Sequence, residues 1–292
     1  MRKILQWHTA TAGLVLLGVA ACSDDGAGPS SSGLTQAQAE FAAEVVSDDA
    51  DAQADGLSST TADAASFSVA LSPFGGQCSP APGVSPTPAD QDGDIVPDSV
   101  RFAFDPPCVL SLPLRTITRA GIVDLVDPTP TDLDWARRVR FIDFLTTRER
   151  IASDATVSAL RNGVRTITGD ADALHHDVTG FTTAFTHANG SVTTHTRTWS
   201  SDFTADSPGS IARNQSLPSG TWDISGTSSW RHEDVTWSAS VTTNPALHYN
   251  AACTDAPRFD AGTLTLVVTR TGATSTVTID YTGCGQYDVT RE

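Results

Sequence analysis

From about residue 65 to the C-terminus the chain alternates apolar and polar residues with a period of two, which restricts it to strands with one buried face. Thr, Val and aromatic residues, which suit a pleated, half-buried surface, replace the Ala, Asp and Ser that dominate earlier. The pattern recurs near residues 66–71, 99–104, 114–126, 138–147, 155–168, 178–187, 191–205, 220–231, 235–243, 262–270 and 274–282. Few of the intervals between these segments have room for a crossover helix, so the connections are predicted to be hairpins and the sheet antiparallel. The expected fold is all-β, a sandwich or an open barrel-like meander, in one domain over residues 65–292 that can bury a sizeable core.

Three segments display the one-sided pattern most clearly. His195, Arg197, Trp199, Ser201 and Phe203 share one face of a strand, and Thr194, Thr196, Thr198, Ser200 and Asp202 form the other. Trp222, Ile224 and Trp230 align in the same way, as do Val235, Trp237, Ala239 and Val241. Burying an indole ring gains several kcal/mol at roughly 25 cal/mol per Å² of apolar area, so Trp199, Trp222, Trp230 and Trp237 read as core. The competing reading is an exposed tryptophan platform for a glycan, as in a carbohydrate-binding module. An outer-membrane barrel needs an apolar lipid face, which the Thr/Asp alternation does not supply.

At Asn189-Gly190 the apolar pattern selects a turn. A three-residue loop, Ala188-Asn189-Gly190 with Gly190 left-handed, places Phe185 opposite Thr193 and Phe181 opposite Arg197, with every aromatic on one face. A two-residue turn splits that set, because a slip of one residue moves every side chain to the other face.

Four cysteines lie within the β-rich region or beside it: Cys78, Cys108, Cys253 and Cys284. Of the three possible pairings, Cys78 with Cys108 and Cys253 with Cys284 is preferred, since each pair brackets one coherent unit. Between the first two cysteines runs Asp90-Gln91-Asp92-Gly93-Asp94-Ile95-Val96-Pro97-Asp98. Carboxylates at relative positions 1, 3, 5 and 9 with the Val96 carbonyl at 7 suit a hard cation. The spacing resembles the Asp-x-Asp-x-Asp calcium loops of EF-hand and thrombospondin type 3 repeats, which implies a structural Ca²⁺ held by Asp90, Asp92, Asp94, Val96 and Asp98. Ile95 stands where the turn glycine of an EF-hand is expected, and Arg101 where its bidentate Glu would be. The competing reading is an acidic turn without metal.

The N-terminus bears on location. Arg2 and Lys3 precede an apolar run over residues 10–21, too short to span a bilayer and typical of a secretory signal. Val19-Ala20-Ala21-Cys22 resembles the lipobox of bacterial lipoproteins. That resemblance implies cleavage after residue 21, a diacylglycerol on the Cys22 sulfur and acylation of the new amino group, palmitate being a typical chain. At ~0.8 kcal/mol per buried methylene, more than one chain anchors a protein stably. Ser23 rather than an aspartate follows the cysteine, which favours an outer-membrane destination. Residues 22–34 then read as the lipidated cysteine and a flexible Gly/Ser tether. Within residues 35–64, Thr35 and Gln38 have capping-box spacing, and Ala37, Phe41, Ala42 and Val45 predict a short helix over 35–47 that stops at Ser47-Asp48-Asp49. An acidic linker follows.

Charge and motif content exclude several classes. The net charge is −16, and cleavage of the signal would make it more negative, so nucleic acid and anionic lipid headgroups are poor partners. Lys3 is the only lysine, which removes Schiff-base, phosphate-loop and Ser-x-x-Lys chemistry from the mature chain. His-Glu-x-x-His, Gly-x-Ser-x-Gly and Gly-x-Gly-x-x-Gly do not occur. His175 and His176 are adjacent and predicted to face opposite ways; His232-Glu233-Asp234 reads as a polar turn. The resulting expectation is a non-catalytic, lipid-anchored envelope or surface protein, structural or ligand-binding. The alternative is an envelope hydrolase acting on glycans through paired carboxylates. No catalytic residue is singled out.

Overall fold

A computed structural model of the chain describes residues 34–292 except 37, 41, 45, 48–49, 51–78, 88, 95, 113–114, 133–135, 151–154, 213–215, 233–234 and 271. The expected strand at 66–71 lies outside the described residues. The β-region forms β1 (Gly83–Ser85), β2 (Ser99–Leu112), β3 (Arg115–Val126), β4 (Arg137–Arg150), β5 (Ala155–Gly169), β6 (Ala173–Thr186), β7 (Val192–Ala205), β8 (Gly220–His232), β9 (Val235–Thr243), β10 (Leu247–Tyr249), β11 (Phe259–Ala261), β12 (Thr263–Arg270), β13 (Ala273–Gly283) and β14 (Gln286–Arg291). All belong to one antiparallel sheet in the order β1 to β9, then β12, β13 and β14, with β10 pairing both β8 and β11. It is an open meander rather than a sandwich of two sheets. β10 continues the pairing of β9 along β8, interrupted at Asn244-Pro245, where proline lacks the ladder's donor.

One face of this sheet is buried along its whole width, from Val100, Phe102 and Phe104 on β2 to Val277 and Ile279 on β13. Devices for bending the sheet recur in mid-strand. β4 carries a bulge at Ile142-Asp143, with Asp143 at φ 45°, and β6 carries one at Thr179-Gly180. Asp143 is tied to β5, its amide donating to Asn162 Oδ1 at 2.8 Å. Across the bulges lie Gly121 on β3 and Gly163 on β5, both at positive φ. Because these glycines have no side chain, rings from the flanking strands meet above them. Phe104 and Phe144 approach to 5.4 Å over Gly121, and Phe141 meets Phe181 at 5.5 Å over Gly163.

Each bulge reverses the alternation. On β6 the buried residues are Leu174, His176 and Val178 before it and Phe181 and Thr183 after it. The alternation in sequence therefore shifts phase inside a continuous strand. The long β2 likewise passes through Asp105-Pro106-Pro107, where two extra residues intervene between the Phe104–Gly121 and Cys108–Arg119 pairs.

The hairpin between β6 and β7 adopts the three-residue form expected from the apolar pattern. Phe185 pairs with Thr193 and Phe181 with Arg197, His187 N–H donates to the Ser191 carbonyl at 2.9 Å, and Gly190 has φ 83°. Phe181 is buried, whereas Phe185, near the end of the sheet, is 40% exposed.

The N-terminal helix, α1, lies between residues 36 and 50. Its start is the expected capping box: Thr35 N–H donates to Gln38 Oε1 at 2.9 Å and Gln38 N–H to Thr35 Oγ1 at 3.3 Å. Of the predicted apolar face, Ala42 is buried; Ala37, Phe41 and Val45 lie outside the described residues. The buried stripe is Ala39, Ala42, Ala43, Val46, Ser47 and Ala50, which recurs at helical spacing. Ala50, beyond the expected stop, is helical and fully buried, while Asp48 and Asp49 lie outside the described residues. The segment packs on β13, where the Ser47 hydroxyl bonds Tyr281 Oη at 2.6 Å and Leu34 N–H donates to Ser275 Oγ at 3.2 Å. The helix is thus part of the core rather than a tethered appendage. Residues 51–64, the expected linker, are outside the described residues.

Cys253 and Cys284 form a disulfide with Cα atoms 5.4 Å apart, as expected from their spacing. Cys78 lies outside the described residues. Its expected partner Cys108 is buried and disulfide-bonded, and next to it Val109 pairs with Ser79 in an isolated antiparallel bridge.

Candidate functional site

The acidic loop closes on itself where the chain enters β2. Asp98 N–H donates to the Ala89 carbonyl at 2.8 Å, and Asp127 N–H at the end of β3 to the Asp98 carbonyl at 3.2 Å. Within the loop the carboxylates accept backbone donors: Gly93 N–H to Asp90 Oδ1 at 2.7 Å, Asp94 N–H to Asp92 Oδ1 at 3.0 Å, and Val96 N–H to Asp94 Oδ1 at 2.6 Å. These turns bring Asp90, Asp92 and Asp94 together, each offering an oxygen within 4.8 Å of the others. Ligands about 2.4 Å from a shared Ca²⁺ lie at most about 4.8 Å apart, so the donor set fits that ion. Asp94 is only 1% exposed, and Asp92 Oδ2 is buried.

Asp98 is not part of this cluster. Its two oxygens accept from the Gln91 amide at 3.0 Å and Gln91 Nε2 at 2.7 Å, so it braces the loop from outside. The expected fourfold convergence is corrected to three carboxylates, because position 9 follows Pro97 into the turn toward β2. Val96 is buried. Arg101 pairs in bidentate fashion with Asp124 on β3, at 2.7 and 2.9 Å.

The tryptophans do not form an exposed platform. Trp199, Trp222 and Trp230 are buried, and Trp237 is partly buried against the core. Trp237 stacks on Trp230 at 3.9 Å, and Trp230 stacks on buried His195 at 4.6 Å, a three-ring pile across β9, β8 and β7. Ser228 beneath it accepts from Trp199 Nε1 at 3.0 Å and lies 3.4 Å from His195 Nε2.

His175 and His176 face opposite ways, as their adjacency predicts. His175 sits on the outer face between Asp202 at 2.7 Å and Asp177 at 3.0 Å, and its pKa is raised chiefly by the Asp202 hydrogen bond. His248 has a similar seat, between Asp206 at 3.0 Å and Asp260, with its pKa also raised. His176 is 1% exposed on the covered face and is held well below the usual histidine range by burial and by surrounding arginines. The side chains of His232, Glu233 and Asp234 lie outside the described residues.

A cluster of arginines on the covered face is a feature that the sequence reading did not assemble. Arg137 at the start of β4, Arg165 on β5 and Arg197 on β7 converge with His176 on β6, and Arg161 lies further along β5. Arg137 is 4% exposed; Arg161, Arg165 and Arg197 keep partial exposure. Burial, with Arg165 beside it, lowers the pKa of Arg137 to about 9. Burial, with Arg197 and Arg161, lowers that of Arg165 to about 10. The Arg165 guanidinium lies over Phe141 at 5.2 Å and Phe181 at 5.8 Å, and that of Arg197 over Phe181 at 5.0 Å. A signal was present: Arg197 has the same alternation phase as Trp199 and Phe203, and Arg165 that of Ile167.

No family model, curated protein or solved structure matches this chain.

Proposed function

We propose that this chain is a non-catalytic, lipid-anchored protein of the bacterial cell envelope, attached through Cys22 and favouring the outer membrane, whose β-domain is braced by a structural calcium ion. The observation that carries the anchoring is Val19-Ala20-Ala21-Cys22 behind a basic and apolar start, followed by a Gly/Ser tether that ends where Leu34 docks on β13. A tether over residues 23–33 spans at most roughly 40 Å when extended, enough to hold the domain clear of a bilayer surface. Cys22 and the tether lie outside the described residues, and among the described residues no helix is long and apolar enough to cross a membrane. The calcium reading is supported by the three-carboxylate cluster of Asp90, Asp92 and Asp94.

Fractionation of cells expressing Cys22→Ser tests the anchor. Release of the variant into the soluble fraction is expected; retention on membranes with normal maturation overturns it. Calorimetry with calcium should give one site that Asp92→Asn abolishes and Asp98→Asn retains. Absence of heat at millimolar calcium removes the metal from this reading.

A further inference from the structure

Asn-Gly occurs twice in the chain, at Asn162-Gly163 and Asn189-Gly190, and the fold treats the two pairs in opposite ways. In any such pair the glycine, lacking a Cβ, lets its own amide nitrogen approach the carboxamide carbon of the preceding asparagine. Whether it reaches that carbon depends on where the carboxamide is held.

Asn162 is held away from its own backbone. Its Oδ1 accepts from the Asp143 N–H of β4 at 2.8 Å, and its Nδ2 donates to Asp143 Oδ1 at 3.2 Å. Gly163 is paired with Phe141 and lies so close to Phe181 that an added Cβ would sit 2.8 Å from the Phe181 Cα. The Asn162 carboxamide cannot turn back on Gly163 without breaking both bonds to Asp143.

Asn189 is held toward its own backbone. At the tip of the β6–β7 hairpin its Oδ1 accepts from Ser191 N–H at 3.0 Å and from Ser191 Oγ at 2.8 Å, an Asx turn that folds the carboxamide back along the chain past Gly190. Both donors meet the oxygen on which negative charge develops when a nucleophile adds to the carboxamide carbon, as in an oxyanion hole. Asn189 and Gly190 are exposed, and nothing beyond its chain neighbours lies within 4 Å of a carbon added at Gly190. Among the described residues Asn189 Nδ2, the leaving group, makes no hydrogen bond. The Gly190 N–H donates to the His187 carbonyl at 2.9 Å, a bond that water can replace at this exposed tip.

We propose that Asn189 is a self-modifying site of the folded protein, converting through a cyclic imide to aspartate and isoaspartate, while Asn162 is protected. The Gly190 nitrogen gives its proton to water or hydroxide and forms a bond to Asn189 Cγ. The Cγ–Nδ2 bond breaks, and the departing nitrogen takes up a proton and leaves as ammonia. Water then opens the ring at Cγ to give aspartate, or at the backbone carbonyl to give isoaspartate. Either product places a carboxylate at the hairpin tip, and isoaspartate also lengthens the backbone of the three-residue loop by one carbon. The site is independent of the lipid anchor and of the calcium loop.

The full chain, kept at neutral pH either folded or in urea, is digested with trypsin, which leaves Asn162 and Asn189 in separate fragments, residues 162–165 and 166–197. Mass spectrometry reads the replacement of the amide NH₂ by OH, and fragmentation separates isoaspartate from aspartate. In the folded protein Asn189 is expected to convert tenfold or more faster than Asn162, and in urea the two should convert at similar rates. Ser191→Ala, which removes the hydroxyl donor, should slow the folded site several-fold and leave its rate in urea unchanged, with folding checked by tryptophan emission. Equal rates at the two sites in the folded protein, or an Asn189 that stays intact when folded yet converts in urea, would overturn the site. A folded Ser191→Ala variant that keeps the parent's rate would overturn the part given to the Ser191 hydroxyl.

Discussion

Gly226 is a place where a single methyl group should do great harm for its size. It sits in the middle of β8, paired with Trp199, at φ 153°, a conformation that residues with a Cβ rarely adopt. A Cβ there would meet the Thr198 carbonyl oxygen, Trp199 Cα at 2.7 Å and Trp199 Cδ1 at 2.9 Å. Two of these atoms belong to the backbone of the neighbouring strand and cannot retreat without opening the β7–β8 ladder. The third is on a ring that is 2% exposed and hydrogen-bonded to Ser228. Overpacking in a tight core costs about 1 to 3 kcal/mol and a disfavoured backbone conformation a similar amount, so Gly226→Ala is expected to lose about 2 to 5 kcal/mol. Gly190→Ala is the internal control: its φ is 83°, but nothing lies within 4 Å of the added carbon, leaving only a conformational cost of about 1 kcal/mol. Urea unfolding followed by tryptophan emission measures both. Trp199→Leu combined with Gly226→Ala should not rescue the loss, because the carbonyl contact remains. Equal destabilisation of the two alanine variants, or a Gly226→Ala effect under 0.5 kcal/mol, would refute the close-approach reasoning.

Other consequences can be measured in the same way. His175 and His248 have folded pKa values raised above 6.5, so their stabilising contribution is complete below that pH and is lost as pH rises through the folded values. Asp202→Asn should flatten that part of the stability profile, and an unchanged His175 titration by NMR would contradict the pairing. His176 has the opposite sign: its folded pKa is lowered, so stability falls as pH drops below 6.5, and replacing it by glutamine should remove that acid sensitivity. Replacing both Cys253 and Cys284, 31 residues apart, by serine should cost about 4 kcal/mol in the chain-entropy model, read from the denaturation midpoint. Trp222→Ala, at a fully buried ring, should cost about 3 to 5 kcal/mol, and a tolerant response would contradict its place in the core.

Much of this fold is local and therefore legible in the sequence. Alternation of period two places β4, β5, β7, β8, β9, β12 and β13 to within a few residues, because it directly reports a strand with one buried face. The register of the β6–β7 hairpin follows from the same rule, since only one loop length keeps Phe181 and Trp199 on one side. The capping box at Thr35 and Gln38 and the Cys253–Cys284 pair were equally readable from spacing. The export signal proposed before Cys22 rests on a few residues of sequence. That signal works on an unfolded chain and needs no tertiary structure.

What the tertiary structure decided is whatever depends on residues distant in sequence. The bulges at Asp143 and Gly180 shift the phase of burial in mid-strand, and nothing in β4 or β6 alone predicts them, because a bulge is defined by the neighbouring ladder. The docking of the helix is decided by β13, whose Tyr281 bonds Ser47 across 234 positions of chain. Asp98 belongs to the calcium pattern by spacing, yet Gln91 claims its carboxylate. The arginine cluster depends most on distance of all. Arg137, Arg165 and Arg197 each look like one polar residue out of place on an apolar face, and only the pairing of β4 to β7 brings two of them to the Phe181 ring and all three to the same histidine. Local propensity and alternation act over a few residues and are encoded there, whereas electrostatic clustering acts through space and exists only once the chain has folded.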